Sequence, residues 1–409
     1  SRLSQPLVLE ASINARLDMV HDFVKSEILR HDLRDLLKQV PDMERSLSRL
    51  FLTRAGPRDI GVVRDGIKIA ALIMERLDSE VLIKFSIGVE KLRNRLGPHL
   101  KLWKLLNSAL AKDLPLFSRD GGFIGPGFSN ELDKLIELRD ESHRLIVELQ
   151  TEYAELTGLS KLKVRHNNAL GYYVDITPRQ INNIPKNSDS PFILRQTLIN
   201  SVRYSTIKLS ELETQIVNAA DKALRCELSI FDTLSKEVCA NADQITSTAR
   251  ALAELDVSLG LATLADERDY IKPIVDQTTV FEIENGRHPV VEATLSNFNE
   301  KKFIGNNCRL CGKSENVNDI AQIWLLSGPN MAGKSTFLRQ CALISIMAQI
   351  GSYVPASSAH LGVVDRLFSR IGASDNLAQG RSTFMVEMIE TATILNQAGP
   401  KSLVILDEI

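Results

Sequence analysis

Gly328-Pro329-Asn330-Met331-Ala332-Gly333-Lys334-Ser335 reads Gly-x4-Gly-Lys-Ser, the spacing of a loop that cradles nucleotide phosphates. Its glycines let the backbone curl until successive N–H groups point at phosphate oxygens. Lys334 supplies a point charge for the β and γ phosphates, Ser335 offers a hydroxyl to Mg²⁺, and the binding set runs from Gly328 through Thr336. Working outward, Ile323-Trp324-Leu325-Leu326 is an apolar run of strand type. Residues 335–350 lack Gly and Pro and predict a helix that stops at Gly351. That helix would add the partial positive charge of its N-terminus to the same phosphates. Strand, glycine loop and helix in this order predict an α/β nucleotide unit with ATP and Mg²⁺ as cofactors. The plain alternative is a Gly-rich turn in an unrelated α/β fold.

Leu403-Val404-Ile405-Leu406-Asp407-Glu408 predicts a buried strand ending in two carboxylates. Asp407 is placed to hold Mg²⁺ directly or through water. Glu408 is placed to orient or activate the attacking water, so that Glu408 and Lys334 form the catalytic pair. Read alone, four aliphatics before two acids is a weak motif, and a solvated strand end would look the same. Between loop and acids, the polar segment 372–383 opens a helix. Ser382 there can reach the γ-phosphate of a partner subunit and Arg381 can neutralise it, or Ser382 can simply cap its own helix.

The chain has 409 residues, 44% hydrophobic and 24% charged, with a net charge of −2. This is ordinary globular composition for two to four domains, and it shows no global attraction to nucleic acid or lipid. No apolar run approaches the roughly 18 residues of a membrane span, and no signal or transit peptide pattern is visible. Five scattered cysteines suit a reducing compartment. Cys308-x-x-Cys311 is a single pair with no nearby His to complete a zinc site. The chain starts at Ser1 without Met and stops at Ile409 within the acidic motif, as a piece of a longer protein would.

Residues 1–112 show apolar residues at helical spacing, punctuated at Pro41-Asp42 and Gly56-Pro57. Asn130 is placed to cap a helix that ends at Thr157-Gly158. Leu162 and Val164 alternate with Lys161, Lys163 and Arg165, and Tyr172 to Ile176 completes a hairpin signal. Between Ser160 and Ser210 stand eight Lys or Arg, Arg195 among them, against two Asp. A local excess of this kind suits a contact with a phosphate backbone, or a solvated basic face with no partner. Tyr172 and Tyr173 can stack on bases, although strand aromatics of this type are more often core. Leu209, Leu212, Ile216, Ala220, Leu224, Leu228, Phe231, Leu234 and Val238 then mark an amphipathic helix of roughly 30 residues, ~45 Å long. Beyond Pro273 the pattern turns α/β.

Together these residues resemble the MutS family of DNA mismatch repair ATPases. The motifs are 327–336, Gly-Ser-Tyr-Val-Pro-Ala (351–356), Gly-Arg-Ser-Thr-Phe-Met-Val-Glu-Met (380–388) and Leu-Asp-Glu-Ile (406–409). Upstream, Gly-Arg-His-Pro-Val-Val-Glu (286–292), Ala-Glu-Leu-Asp-Val (253–257), Arg-Gln-Thr-Leu (195–198), Gly-Tyr-Tyr-Val (171–174) and Arg-Asp-Gly-Gly (119–122) extend the likeness over the whole chain. The resemblance implies a multidomain α plus α/β chain. A helical lever over 1–129 would carry an inserted β-containing clamp over 130–205, with return helices over 206–268. A P-loop, ABC-like ATPase domain, truncated, would occupy 269–409. It further implies that Phe303 and Ile304 bind the adenine, that Ser382 acts in trans, and that Lys161, Lys163, Arg165 and Arg195 meet the DNA backbone. The implied partners are mismatched double-stranded DNA, a second subunit of the same or a related chain, and a MutL-type repair protein. The implied setting is the bacterial cytoplasm and its nucleoid, or a mitochondrion in a eukaryote. A paralogue acting on branched recombination DNA, or a fragment that binds DNA and nucleotide without hydrolysis, fits the same motifs. In the resemblance the mismatch-reading and connector domains precede Ser1, and the rest of the ATPase domain follows Ile409. Residues 304–321 look like a loop variant without a family counterpart, and Val202 replaces a common acid.

Overall fold

The structure is a computed structural model that describes residues 2–80, 84–97, 99–167, 170–185, 190–297, 302–312, 321–329, 332–370 and 383–407. It is mostly helical with small sheets. Six helices open the chain: α1 Glu10–Val24, α2 Glu27–Leu37, α3 Met43–Phe51, α4 Pro57–Asp78, α5 Ile87–Leu96 and α6 Leu100–Ala109. Short polar side chains start several of them. Ser26 accepts from the Leu29 N–H and Asp42 from the Arg45 N–H, each satisfying a donor the helix itself leaves free. α7 (Asn130–Thr157) is capped by Ser129, which accepts from Leu132 N–H at 3.3 Å, so the cap lies one residue before the expected Asn130. Gly158 ends it in the left-handed conformation.

The expected hairpin forms as β1 (Lys163–Asn167) and β2 (Gly171–Ile176), followed by β3 (Ile193–Thr197) and β4 (Val202–Ser205). The sheet is antiparallel with order β1-β2-β4-β3. Gly171 is needed at its turn, because φ is +67° and a Cβ there would run into the Glu213 carboxylate. The amphipathic run is α8 (Ile207–Ala240), 34 residues long, and α9 (Ala242–Glu267) follows. Further along come β5 (Ile274–Asp276), β6 (Val280–Gly286), α10 (Pro289–Asn297), β7 (Asn306–Cys311), α11 (Lys334–Gln349), β8 (Ser358–Gly362), β9 (Leu367–Arg370), α12 (Thr383–Gln397) and β10 (Leu403–Leu406).

Two compact units emerge, and the chain passes between them after Val40 and Pro98 and inside α4 and α9. One comprises Pro41–Lys68 and His99–Thr246. Here α7 packs on α8, and one face of the four-stranded sheet buries Val174, Ile176 and Val202 against Tyr153, Leu209 and Ile216. The Tyr153 hydroxyl lies 2.7 Å from Thr206 Oγ1, whose side chain also accepts from Leu209 N–H to cap α8. The other unit comprises Ser1–Val40, Ile69–Pro98 and Ser247–Ile409. Its larger sheet has the order β5-β8-β6-β7, and β9 pairs with β10 in parallel.

Two expectations are corrected here. Residues 304–321 were expected as a loop, yet 306–311 form β7, antiparallel to β6 with Ile283 opposite Cys308. Residues 323–326 were expected as a strand, yet they join no ladder, and Leu325 is 93% exposed. A buried parallel strand needs neighbours beside it and cover on both faces. Among the described residues this segment has neither, and Trp324 stacks on Phe337 instead, with ring centroids 6.2 Å apart.

Candidate functional site

The helix expected after the glycine loop is present as α11, and its N-cap is Gly333 in the left-handed conformation at φ +93°. Glycine has no side chain to cap the first turn, so the leading N–H groups of α11 stay available to an anion. Lys334 Nζ donates to the Gly328 carbonyl at 2.7 Å, holding the ammonium over the loop against an acceptor that a phosphate oxygen can replace. In front of this turn opens a cavity of about 1110 Å³. Its walls include Ala332, Gly333, Lys334 and Thr336 from the loop and helix, and Phe303 and Ile304 from the segment before β7. The predicted base-binding and phosphate-binding residues, some 30 positions apart in sequence, therefore line one space. Lys302 and Lys334 are its charged walls among the described residues, while Phe303, Trp324 and Phe337 make part of it flat and apolar. A cavity that combines cationic walls with flat apolar ones suits a nucleotide.

Several cavity residues escaped sequence reasoning. Asn306 and Asn307 open β7, a strand that propensity did not reveal. Trp324 was read as part of a strand, and Val291 and Leu295 on α10 were given no role at the site. Their common signal is proximity to Phe303, which only the fold supplies.

The acidic strand forms as β10, in register with β9 so that Leu406 pairs with Arg370. Asp407 follows it, 7% exposed, its N–H donating to the Arg370 carbonyl at 2.8 Å. Neither Asp407 nor Ser335 lines the cavity. Among the described residues no hydrogen bond joins Asp407 to Ser335 or Lys334. Glu408, Ser382, Arg381, Asn330 and Met331 lie outside the described residues. Gly328 and Pro329 are exposed within the loop.

The basic residues fall on the first unit's sheet. Lys163 and Arg165 stand on β1 with Lys161 just before it, all exposed, on the face opposite the core. Arg165 lies 3.5 Å from the Asp175 carboxylate, which also sits 4.0 Å from Arg203. Asp175 thus tempers the charge of this face without cancelling it. Tyr173 is 5% exposed and lies beneath the Arg203 guanidinium at 4.8 Å, so stacking on a base would require that arginine to move. Arg195 is exposed on β3, at a bulge between Leu194 and Gln196. β1 and β3 are opposite edges, three strand spacings or about 14 Å apart, so the sheet does not bring Arg195 together with the β1 cluster.

The sequence profile of MutS domain III matches residues 1–262 and that of MutS domain V matches residues 324–409. A DNA mismatch repair protein MutS of Bartonella henselae is 51% identical over 411 aligned residues, covering 100% of this chain and 44% of that protein. Proteins of the same description from Rhizobium meliloti and Bartonella quintana are each 50% identical over 100% of this chain and cover 44% and 45% of their own lengths. The chain thus spans less than half the length of the relatives it matches. No described helix is long and apolar enough to cross a membrane. With profile matches over both ends and half of all residues shared with these proteins, the chain belongs to the MutS family of DNA mismatch repair proteins.

Proposed function

We propose that this chain forms the lever, clamp and nucleotide-binding parts of an ATPase that grips mismatched duplex DNA and switches state with ATP. The observation that carries this reading is the shared cavity, in which Phe303 and Ile304 face the uncapped turn at Gly333 and Lys334. Under it, residues 269–409 belong to a P-loop ATPase domain. Lys334 and the first N–H groups of α11 hold the β and γ phosphates, and Phe303 takes the adenine face. Ser335 and Asp407 would hold Mg²⁺, which would supply charge neutralisation on the phosphate oxygens. Glu408 orients water, and Ser382 reaches the nucleotide of a second subunit. The basic face around Lys161, Lys163 and Arg165 contacts the DNA backbone, with Arg195 adding a contact at the far sheet edge. The whole protein then acts as a dimer, with a MutL-type partner, on DNA of the bacterial nucleoid.

One comparison in the full-length protein tests the assignment. Lys334→Ala should weaken ATP binding by at least an order of magnitude, roughly 1.4 kcal/mol or more. Glu408→Gln should keep the affinity and slow turnover by about 10²-fold or more. Equilibrium binding of a fluorescent ATP analogue and single-turnover hydrolysis separate the two. Unchanged affinity in Lys334→Ala would remove the phosphate role drawn from the loop.

A further inference from the structure

The exposed face of the sheet β1-β2-β4-β3 carries a cation whose place the register alone makes visible. Val202 and Tyr204 of β4 pack toward the core, so Arg203 between them points to the opposite face. Val164 of β1 and Val174 and Ile176 of β2 face the core in the same way, which puts Lys163, Arg165, Tyr173 and Asp175 on the face of Arg203. One row runs across that face: Lys163 opposite Asp175, Asp175 opposite Arg203, and Arg203 opposite Gln196. At the bulge of β3, Leu194 opposes Tyr204 and Gln196 opposes Arg203, so Arg195 is the extra residue beside the row. Arg203 stands two strand spacings, about 10 Å, from β1 and one spacing, about 5 Å, from β3. It fills the interval between the β1 cluster and Arg195. Resting on the DNA-binding reading of this face, we propose that Arg203 is a contact for the DNA phosphate backbone, joining Lys163 and Arg165 to Arg195 in one cationic track across the sheet.

The four strands carry Lys163, Arg165, Arg195 and Arg203 against a single acid, Asp175. That carboxylate lies 3.5 Å from Arg165 and 4.0 Å from Arg203, so two guanidiniums share one counter-charge and a positive excess remains for a polyanion. At 4.0 Å the Arg203–Asp175 pair attracts without a hydrogen bond. Arg203 Nε and Asp175 Oδ1 are both buried and have no hydrogen-bond partner among the described residues. Gln196 Oε1 accepts from Arg203 Nη1 at 2.9 Å, and the Tyr173 ring supports the guanidinium from below at 4.8 Å. Held by a carboxylate, an amide and a ring, this side chain loses little further freedom when it binds. Its Nη donors beyond the one given to Gln196 can take two phosphate oxygens side by side.

The plain alternative is that Arg203 only covers Tyr173. That ring is 5% exposed, and a guanidinium over it keeps it dry whether or not DNA is present. The two roles ask different things of the side chain. A cover needs a flat, bulky end, whereas a phosphate contact needs a charge. Glutamine keeps a planar end and loses the charge; lysine keeps the charge and loses the planar fork.

The test measures affinity of the full-length protein for a DNA homoduplex by fluorescence anisotropy over a salt series. Arg203→Gln should lower the slope of log affinity against log salt by about 0.9, the value of one phosphate contact. Arg203→Lys should hold the wild-type slope. An unchanged slope in Arg203→Gln, while Lys163→Gln lowers it, would overturn the proposal and leave the DNA reading standing. Equal losses of slope in Arg203→Gln and Arg203→Lys would reduce Arg203 to a cover, which overturns the contact as well. Slopes unmoved in both Arg203→Gln and Lys163→Gln would end the DNA reading of this face and the contact with it. Wild type supplies a check that needs no variant. Phenylglyoxal can reach the Arg203 side chain, which is 22% exposed, and peptide mapping by mass spectrometry should show its labelling lost under saturating duplex. Labelling that persists at the level of the free protein would overturn the contact even where Arg203→Gln folds poorly.

Discussion

Glu227 shows how a single buried acid can organise a turn far away in the chain. It lies on α8, 4% exposed, and its carboxylate accepts from Gly122 N–H at 2.8 Å and from Ile124 N–H at 3.4 Å. Gly121 and Gly122 adopt φ of +65° and +74°, which turns those N–H groups inward. The Arg-Asp-Gly-Gly motif at 119–122 is thereby explained as the receiving half of a carboxylate cap. Removing the acceptor leaves the buried Ile124 N–H and the part-buried Gly122 N–H without this partner, and the buried donor costs more unpaired than its hydrogen bond contributes. Glu227→Ala should destabilise its unit by about 2–4 kcal/mol, with Glu227→Gln losing less. Urea unfolding measures both, and a loss under about 0.5 kcal/mol in Glu227→Ala would show that the cap is dispensable. None of this was legible in the sequence, because the partners are more than a hundred positions apart and an acid on an amphipathic helix reads as solvated. The glycine loop could be singled out for the opposite reason: Gly333, Lys334 and Ser335 are adjacent, so their pattern is local.

At the scale of elements, the helices were easy to anticipate and the strands only in part. α8 follows from apolar spacing and α11 from a run without Gly or Pro that stops at Gly351, while the caps at Thr206 and Gly333 come from the structure. β7 begins Asn-Asn and has little strand propensity, yet it forms because β6 offers it an edge. Residues 323–326 have the propensity and lack the partner. Strand formation depends on neighbours that a window of sequence does not contain. The hairpin β1–β2 was legible because turn and alternation are both local, and the sheet it starts leads to a measurable consequence. Lys161, Lys163 and Arg165 alternate with Leu162 and Val164, so a triple charge reversal changes one solvent face and leaves the core intact. Each lost phosphate contact should reduce the slope of log affinity against log salt by about 0.9. Arg165 already shares Asp175, so the triple variant should lose about two units rather than three. Fluorescence anisotropy with duplex DNA over a salt series checks this, and a slope equal to wild type would assign the face to solvent alone.

At the scale of the whole molecule, the division into two units can be tested with the protein's own chromophores. There are two tryptophans in the sequence. Trp103 lies in the unit comprising Pro41–Lys68 and His99–Thr246, on α6, whereas Trp324 lies in the other unit, at the cavity. Each unit has its own buried apolar core. The first has Phe123 edge-on to Phe231 at 5.9 Å in addition to the cluster under its sheet; the second has Ile13, Leu17, Phe23 and Ile283 among its fully buried side chains. A chain with separate cores need not unfold in a single step. Trp324→Phe leaves Trp103 as the sole reporter, and Trp103→Phe leaves Trp324. A ligand that binds only the folded form of one unit stabilises that unit by about 2.7 kcal/mol at a hundred times its dissociation constant. With a non-hydrolysable ATP analogue at that concentration, the denaturation midpoint reported by Trp324 should rise and that reported by Trp103 should stay put. Equal shifts at both positions would mean that the molecule unfolds as one cooperative body, with nucleotide occupancy felt as far as α6. A shift at Trp103 alone would place the nucleotide in the wrong unit and would contradict the assignment of the cavity itself.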